Sequence, residues 1–283
     1  MYRKLWQRLA ALYGDDEAKA IVRLVLEARF GFSWSDILCG KESELSAEDM
    51  SALEIIIQRL EQGEPVQYLL GQAEFGGRQF KVNKNVLIPR PETYELCQWI
   101  ISDVRCKRGD VRDYSILDIG TGSGCIACTL AAEIPGAQVS AWDVSDDALA
   151  IARENAQQLG VSVNFSNVDI LSAHSSFLIS HLSFIISNPP YICNKERVSM
   201  ERNVLEHEPE LALFVPDDDP LLFYRAIADF ALHALNQGGA LFFEINPIYV
   251  DELQILLKEM SYIGIEVRDD MFGKPRFIKA VKS

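Results

Sequence analysis

From about residue 93 onward, short apolar runs alternate with longer amphipathic ones, and this alternation restricts the possible folds more than any other feature of the chain. ELCQWIISDV (95–104) has helical spacing, SILDIG (115–120) reads as a strand and CIACTLAAEIP (125–135) as a helix. QVSAWDVS (138–145) is a strand, and DDALAIARENAQQLG (146–160) is a helix closed by Gly160. VNFSNVDI (163–170) and LSFIISN (182–188) are strands, and PLLFYRAIADFALHALNQGG (220–239) is a helix ending in glycines. ALFFEIN (240–246) is a strand and YVDELQILLKEM (249–260) a helix. Strands alternating with helices predict an α/β domain with a mostly parallel, doubly wound sheet. GIEVRDD (264–270) and RFIKAVK (276–282) flank MFGKP as a hairpin, so one antiparallel strand is expected at that end of the sheet.

The first 72 residues differ in kind. Leu5, Leu9 and Leu12 share a helical face, and DDEAKAIVRLVLEARFG (15–31) opens with acids and stops at a glycine. SWSDILCG (33–40) suits a short helix, and SAEDMSALEIIIQRLEQG (46–63) starts with Ser46 and Asp49 in capping-box spacing. A small helical bundle is expected over 1–72. Residues 73–92 are expected to form a linking hairpin, with Phe80 and Val82 pairing with Val86 and Ile88 across NKN. Residues 93–283 make the α/β domain.

Bulk properties narrow the setting. Net charge is −14 over 283 residues, which argues against gripping nucleic acid through a broad basic surface. The start lacks the apolar core of a signal peptide, and no run of about 18 apolar residues suggests a membrane span. Six scattered cysteines read as reduced thiols, so a cytoplasmic protein is expected.

LDIGTGSG (117–124) sets Gly120, Gly122 and Gly124 where a strand turns into a helix, with Thr121 and Ser123 between them. Glycine there permits positive φ and close approach of the backbone to a ligand. Asp143 ends the next strand, about 20 residues on, where a carboxylate can hold ribose hydroxyls. The combination points to a nucleoside-bearing ligand at the carboxyl ends of the first two strands. No Lys or Arg in the turn awaits a phosphate, which favours S-adenosylmethionine (SAM) over NAD. Asp169, ending the third strand, is a candidate for placing the adenine, against the alternative of a plain loop carboxylate.

IISNPPYI (185–192) then ends the fourth strand in an amide, two prolines and a phenol. The side-chain carbonyl of Asn188 and the backbone carbonyl of Pro189 can both accept from one planar NH₂ group. Pro190 stiffens the turn, and Tyr191 offers a flat face for a planar substrate. Such a site would hold an sp² nitrogen with its lone pair aimed at a methyl donor, where orientation supplies much of the rate. The competing reading, that Asn-Pro only starts a turn, loses weight beside this glycine turn.

Asn-Pro-Pro-Tyr after such a turn resembles the SAM-dependent methyltransferases of planar nitrogens. GEPVQYLLG (63–71), VLIPRPET (86–93), LDIGTGSGCIA (117–127), ISNPPYI (186–192) and HEPELAL (207–213) together resemble the HemK/PrmC family over nearly the whole chain. That family methylates the glutamine amide in the GGQ motif of peptide chain release factors, proteins of translation termination. The resemblance implies a Rossmann-like methyltransferase domain, an N-terminal domain that helps hold the release factor, and SAM converted to S-adenosylhomocysteine. It implies that Gly120 to Gly124, Asp143, Asp169, Ile170 and Asn188 line the SAM site and that Asn188 to Tyr191 receive the glutamine. Two departures stand out: Tyr94 replaces the acid that usually follows Pro-Arg-Pro-Glu-Thr, and FVPDDDP (214–220) replaces a glycine-rich turn.

Other features are set aside. Cys125 and Cys128 form a C-x-x-C but lie just inside a helix start, as packing residues. No His or Cys cluster asks for a metal, and PDDDP reads as a solvated turn. Two rivals remain: a nucleic-acid amino methyltransferase sharing Asn-Pro-Pro-Tyr, and a non-catalytic SAM- or nucleotide-binding module.

Overall fold

The computed structural model describes residues 1–106, 114–172 and 179–283. Two units emerge, one from residues Met1–Gln72 with Met200–His207, the other from Ala73–Ser199 with Glu208–Ser283. The first opens with α1 (Tyr2–Tyr13), α2 (Asp15–Phe30), α3 (Trp34–Leu38), α4 (Ala47–Glu61) and α5 (Val66–Leu70). Their limits follow local chemistry. Gly31 takes the left-handed conformation that ends α2, and Ser46 accepts from the Asp49 amide at the start of α4. The full reciprocal capping box falls instead at Ser33 and Asp36, before α3. Leu9, Val22, Val25, Leu26, Ile57 and Leu60 are closed off from solvent, giving this unit its own core.

β1 (Gln72–Phe75), whose first residue closes the first unit, and β2 (Arg78–Lys81) open the second. This hairpin lies earlier than the sequence suggests. Gly76 and Gly77 both have positive φ, 57° and 77°, which suits a tight two-residue connection. The NKN segment joins no strands; Val86 and Ile88 are buried without strand structure. α6 (Pro91–Cys106), β3 (Ser115–Ile119), α7 (Cys125–Glu133), β4 (Gln138–Asp143), α8 (Asp146–Leu159), β5 (Val163–Asn167) and β6 (Leu182–Ser187) follow as strand–helix alternation requires. β7 (Ile192–Cys193), α9 (Arg202–His207) and β8 (Phe214–Val215) are short; α9 belongs with the first unit, and β7 pairs with β8 in parallel. α10 (Leu222–Ala234), β9 (Leu235–Glu244), α11 (Val250–Glu259), β10 (Tyr262–Asp269) and β11 (Pro275–Lys282) complete the unit.

The main sheet has the order β10-β11-β9-β6-β3-β4-β5. β9, β6, β3, β4 and β5 are parallel, and β11 runs antiparallel to both neighbours. The antiparallel strand is thus inserted between β9 and β10 rather than lying outermost. Side chains alternate between two apolar layers. Ile116, Phe184, Ile186 and Phe242 join α6 and α7 residues on one face, while Leu117, Ile119, Ile185, Leu241 and Phe243 join α10 and α11 on the other. Burying each large apolar side chain contributes roughly 1.5–3 kcal/mol, so these layers rather than surface ion pairs hold the sheet.

The Tyr94 departure has a packing explanation. Its ring meets Phe75 edge-on at 5.5 Å and lies directly over Gly76, where an added Cβ would fall 2.3 Å from Cε2. The next residue, Glu95, accepts from the Met271 amide at 3.3 Å. Gly76→Ala is therefore expected to destabilise the protein by about 2–4 kcal/mol, from overpacking and positive φ together. In urea unfolding, combining it with Tyr94→Ala should cost less than the sum of the two changes. Simple additivity would show that the ring and the turn do not interact.

Candidate active site

The strand order reverses between β3 and β6, and ligands in open α/β sheets bind at such a point, beyond the carboxyl ends of the strands. Ser187 Oγ donates to Ile119 O at 2.6 Å and ties the two strand ends together. The glycine turn leaves from β3 and the Asn-Pro-Pro-Tyr segment from β6.

On the β3 side, the amides of Gly120 and Thr121 both donate to Trp142 O, at 2.9 and 3.0 Å, bending the turn back over β4. Gly120 and Gly122 have φ of 75° and 54°, and a Cβ at either would meet no protein atom within 4 Å. The space before them is the cavity they line. Gly124 serves differently: a Cβ there would lie 3.0 Å from Ala152 Cβ, so this glycine lets α7 and α8 approach. Asp143 Oδ2 accepts from Gly122 N at 2.8 Å and Oδ1 from Ser145 N at 2.9 Å. A carboxylate has about four lone-pair sites, so the Gly122, Ser145 and Val144 amides do not exhaust it. Burial raises the Asp143 pKa, and the Ser145 and Gly122 amides oppose that rise. Asn155, fully buried on α8, accepts from Lys81 N and donates to Lys81 O and Ser123 O, stitching β2 to the glycine turn.

Beneath the turn lies Asp118, closed off from solvent, its Oδ2 accepting from Thr121 Oγ1 at 2.6 Å. Burial pushes its pKa up to about 7, against the Thr121 hydroxyl and the Ala127 amide, which favour the anion; nearby Asp143 adds to the rise. Cys125 and Cys128 are buried in the same layer, and burial pushes both thiols up to about 12, as suits packing residues.

On the β6 side, Asn188 Nδ2 donates to Thr93 Oγ1 at 3.3 Å. The Thr93 hydroxyl donates to Glu244 Oε2 at 2.6 Å, and the Tyr191 hydroxyl to Glu244 Oε1 at 3.1 Å. Burial raises the Glu244 pKa, opposed by these two hydroxyls and by Arg276. Burial, followed by the charge of Glu244, keeps the Tyr191 phenol protonated. Asn246 donates to Tyr191 O at 3.1 Å and holds the following turn.

A cavity of about 280 Å³ lies between the two sides, toward the lower end for small-molecule sites. Gly120, Thr121, Gly122, Ser123, Asp143, Asp169, Ile170, Asn188, Pro189 and Pro190 line it. Gly124 and Tyr191 do not; the Tyr191 ring packs against the α10 layer instead of presenting a face to the cavity. Arg90 and Pro209 also line the wall, and Arg90 pairs with buried Glu208 at 2.5 Å, while Ile88 N donates to the same carboxylate. The VLIPRPET and HEPELAL segments are clasped by that pair. Sequence reading missed the roles of Thr93, Glu244, Asp118, Asn155 and Glu208. The available signal was an acid or hydroxyl inside or ending an apolar run, as in FFE and SILD. Among the described residues no cluster of three or more His, Cys, Asp or Glu side chains could hold a metal ion, and no helix is long and apolar enough to cross a membrane.

Residues 2–71 match the family model for the PrmC N-terminal domain, and residues 104–211 match that for the methyltransferase small domain. A release factor glutamine methyltransferase of Bacteroides thetaiotaomicron is 46% identical over 97% of this chain and 96% of its own length. One from Flavobacterium psychrophilum is 41% identical over 96% and 95%. Among solved structures, the catalytic domain of human Mettl16 in complex with an RNA hairpin matches at a TM-score of 0.55 and 18% identity, covering 72% of this chain and 74% of that one. A methyltransferase from Pyrococcus furiosus matches at 0.51 and 17% identity, covering 74% and 90%. These two likenesses speak for the fold alone.

Asp118 gives the site a pH signature. With its folded pKa near 7 and an ordinary unfolded value near 4, the folded state alone binds this proton between those limits. Its contribution to stability is complete below about pH 4 and is lost as pH rises toward 7. Asp118→Asn, which still accepts from Thr121, should gain stability over the unsubstituted protein by about 2 kcal/mol between pH 5 and pH 7. Urea unfolding of both proteins at the two pH values checks this; a constant difference would mean that Asp118 titrates normally.

Proposed function

The chain belongs to the release factor glutamine methyltransferase family, and from that premise we propose that it methylates the side-chain amide nitrogen of the glutamine in the GGQ motif of peptide chain release factors, using SAM, in the cytoplasm. The observation that carries this reading is the meeting of the glycine turn and Asn188 in one cavity, from the two sides of the β3/β6 crevice.

The residues present fit SAM. Gly120 and Gly122 leave a cradle that any side chain would fill, and Asp143 has lone pairs free for ribose hydroxyls. Asp143, Asp147 and Asp169 line the cavity, whereas its cations are Lys84 and Arg90, the latter already paired with Glu208. That balance suits a cationic sulfonium better than phosphates. When bound, SAM supplies an electrophilic methyl group. Asn188 Oδ1 and the Pro189 carbonyl are the acceptors that orient the substrate NH₂ group. An amide nitrogen is a poor nucleophile because its lone pair is delocalised, so orientation by these acceptors and binding energy from remote parts of the substrate must do most of the work. Residues 1–72 are read as the docking unit for the release factor, 73–92 as the link and 93–283 as the methyltransferase domain. Of the rivals, the nucleic-acid reading is disfavoured by the net charge of −14, and the non-catalytic reading by the intact acceptors at 188 and 189.

Asp143→Ala is expected to weaken SAM binding by about 1.5–3 kcal/mol, the scale of lost charge-assisted hydrogen bonds. Unchanged affinity in calorimetry would remove Asp143 from the cofactor site. The function itself is tested by mass spectrometry of release factor incubated with enzyme and SAM. One added methyl on the glutamine is expected, with the rate in Asn188→Ala reduced roughly a hundredfold or more. Methyl label in RNA or DNA, with release factor unmodified in the same tubes, would transfer the chain to the nucleic-acid class.

A further inference from the structure

Behind Asn188 a chain of hydrogen bonds ends on a buried carboxylate. Asn188 Nδ2 lies 3.3 Å from Thr93 Oγ1, which lies 2.6 Å from Glu244 Oε2. Thr93 and Glu244 are each only 3% exposed, so water does not compete for these bonds. A threonine hydroxyl has one proton to give. Held this close to Glu244, it gives that proton to the carboxylate, and toward Asn188 it can only accept. The amide of Asn188 must then turn its NH₂ to Thr93. A flipped amide would set its carbonyl oxygen against the lone pairs of Oγ1 and leave a buried polar contact unsatisfied. The Tyr191 hydroxyl donates to Glu244 Oε1 while Thr93 donates to Oε2, so both carboxylate oxygens are acceptors of hydroxyl protons.

We infer that Thr93, held by Glu244, is a positioning residue that fixes the direction of the Asn188 amide and so leaves its carbonyl oxygen free for an incoming N–H donor. This rests on the methyl-transfer reading for the identity of that donor; the orientation itself is a property of the enzyme without substrate. It also gives the IPRPET segment a function at its last residue and explains why an acid ends β9.

The test reads the amide directly. In full-length protein labelled with ¹⁵N-asparagine, the Asn188 side-chain signal is identified by its loss in Asn188→Ala. Its NH₂ protons should exchange with solvent at least about tenfold faster in Thr93→Val, the effect of losing one hydrogen bond, and slow again in Thr93→Ser. Thr93→Ala, which adds no branched methyl group, serves where the valine variant does not fold. In parallel, Thr93→Val should lower kcat for release factor methylation about tenfold, and should have no further effect in an Asn188→Ala background. Unchanged exchange in Thr93→Val, or a full additional loss on top of Asn188→Ala, would overturn the inference. If exchange behaves as expected but the unsubstituted enzyme leaves release factor unmodified, the relay stands and the methyl-transfer reading falls.

Discussion

The parallel pairing of β3 with β6 is the interaction on which the rest of the site depends. Chain direction along the sheet reverses there, so the segments leaving the two strands diverge and open a crevice between them. The buried bond from Ser187 Oγ to Ile119 O fixes the spacing of the two strand ends. One side contributes backbone without side chains, at Gly120 and Gly122; the other contributes the acceptors of Asn188 and Pro189. Neither segment would form a site alone. A shift of either strand by one residue would also move each side chain into the opposite apolar layer, where the packing is built for different shapes.

Each side of the crevice is stiffened by a carboxylate placed where apolar packing would otherwise be expected. Asp118 anchors Thr121, Asp143 holds the Gly122 and Ser145 amides, and Glu244 gathers Thr93 and Tyr191. Burial makes these acids costly as ions, and hydrogen bonds offset part of that cost. The sheet's apolar layers supply the stability against which it is met. Local rigidity at the ligand end is the return, because hydrogen-bonded polar groups allow fewer arrangements than apolar ones.

What the sequence disclosed and what it hid divide along contact distance. The glycine turn and the Asn-Pro-Pro-Tyr segment are local patterns, legible because backbone freedom and rigidity are written in consecutive residues. Strand–helix alternation likewise made the doubly wound sheet readable. Thr93 and Glu244 stand 151 residues apart and nothing near either announces the other. The linking hairpin turns at Gly76 and Gly77 rather than at NKN, because the glycine pair permits the positive φ that a two-residue connection needs. The inclusion of residues 200–207 with the helical unit leaves no trace in spacing or composition. Tyr94 shows the reverse case: a departure from a family pattern that looked like a lost charge is a ring packed over a glycine.

The insertion of β11 between β9 and β10 has a consequence for how the protein is made. A ribosome delivers β10 before β11, yet among the described residues β11 is the one strand that pairs with β10. During synthesis β10 must therefore wait beside an unfilled gap, and β9 keeps an open edge until the eight residues of β11 arrive. Closure of the sheet at that end therefore waits on β11, although β10 precedes it in the chain.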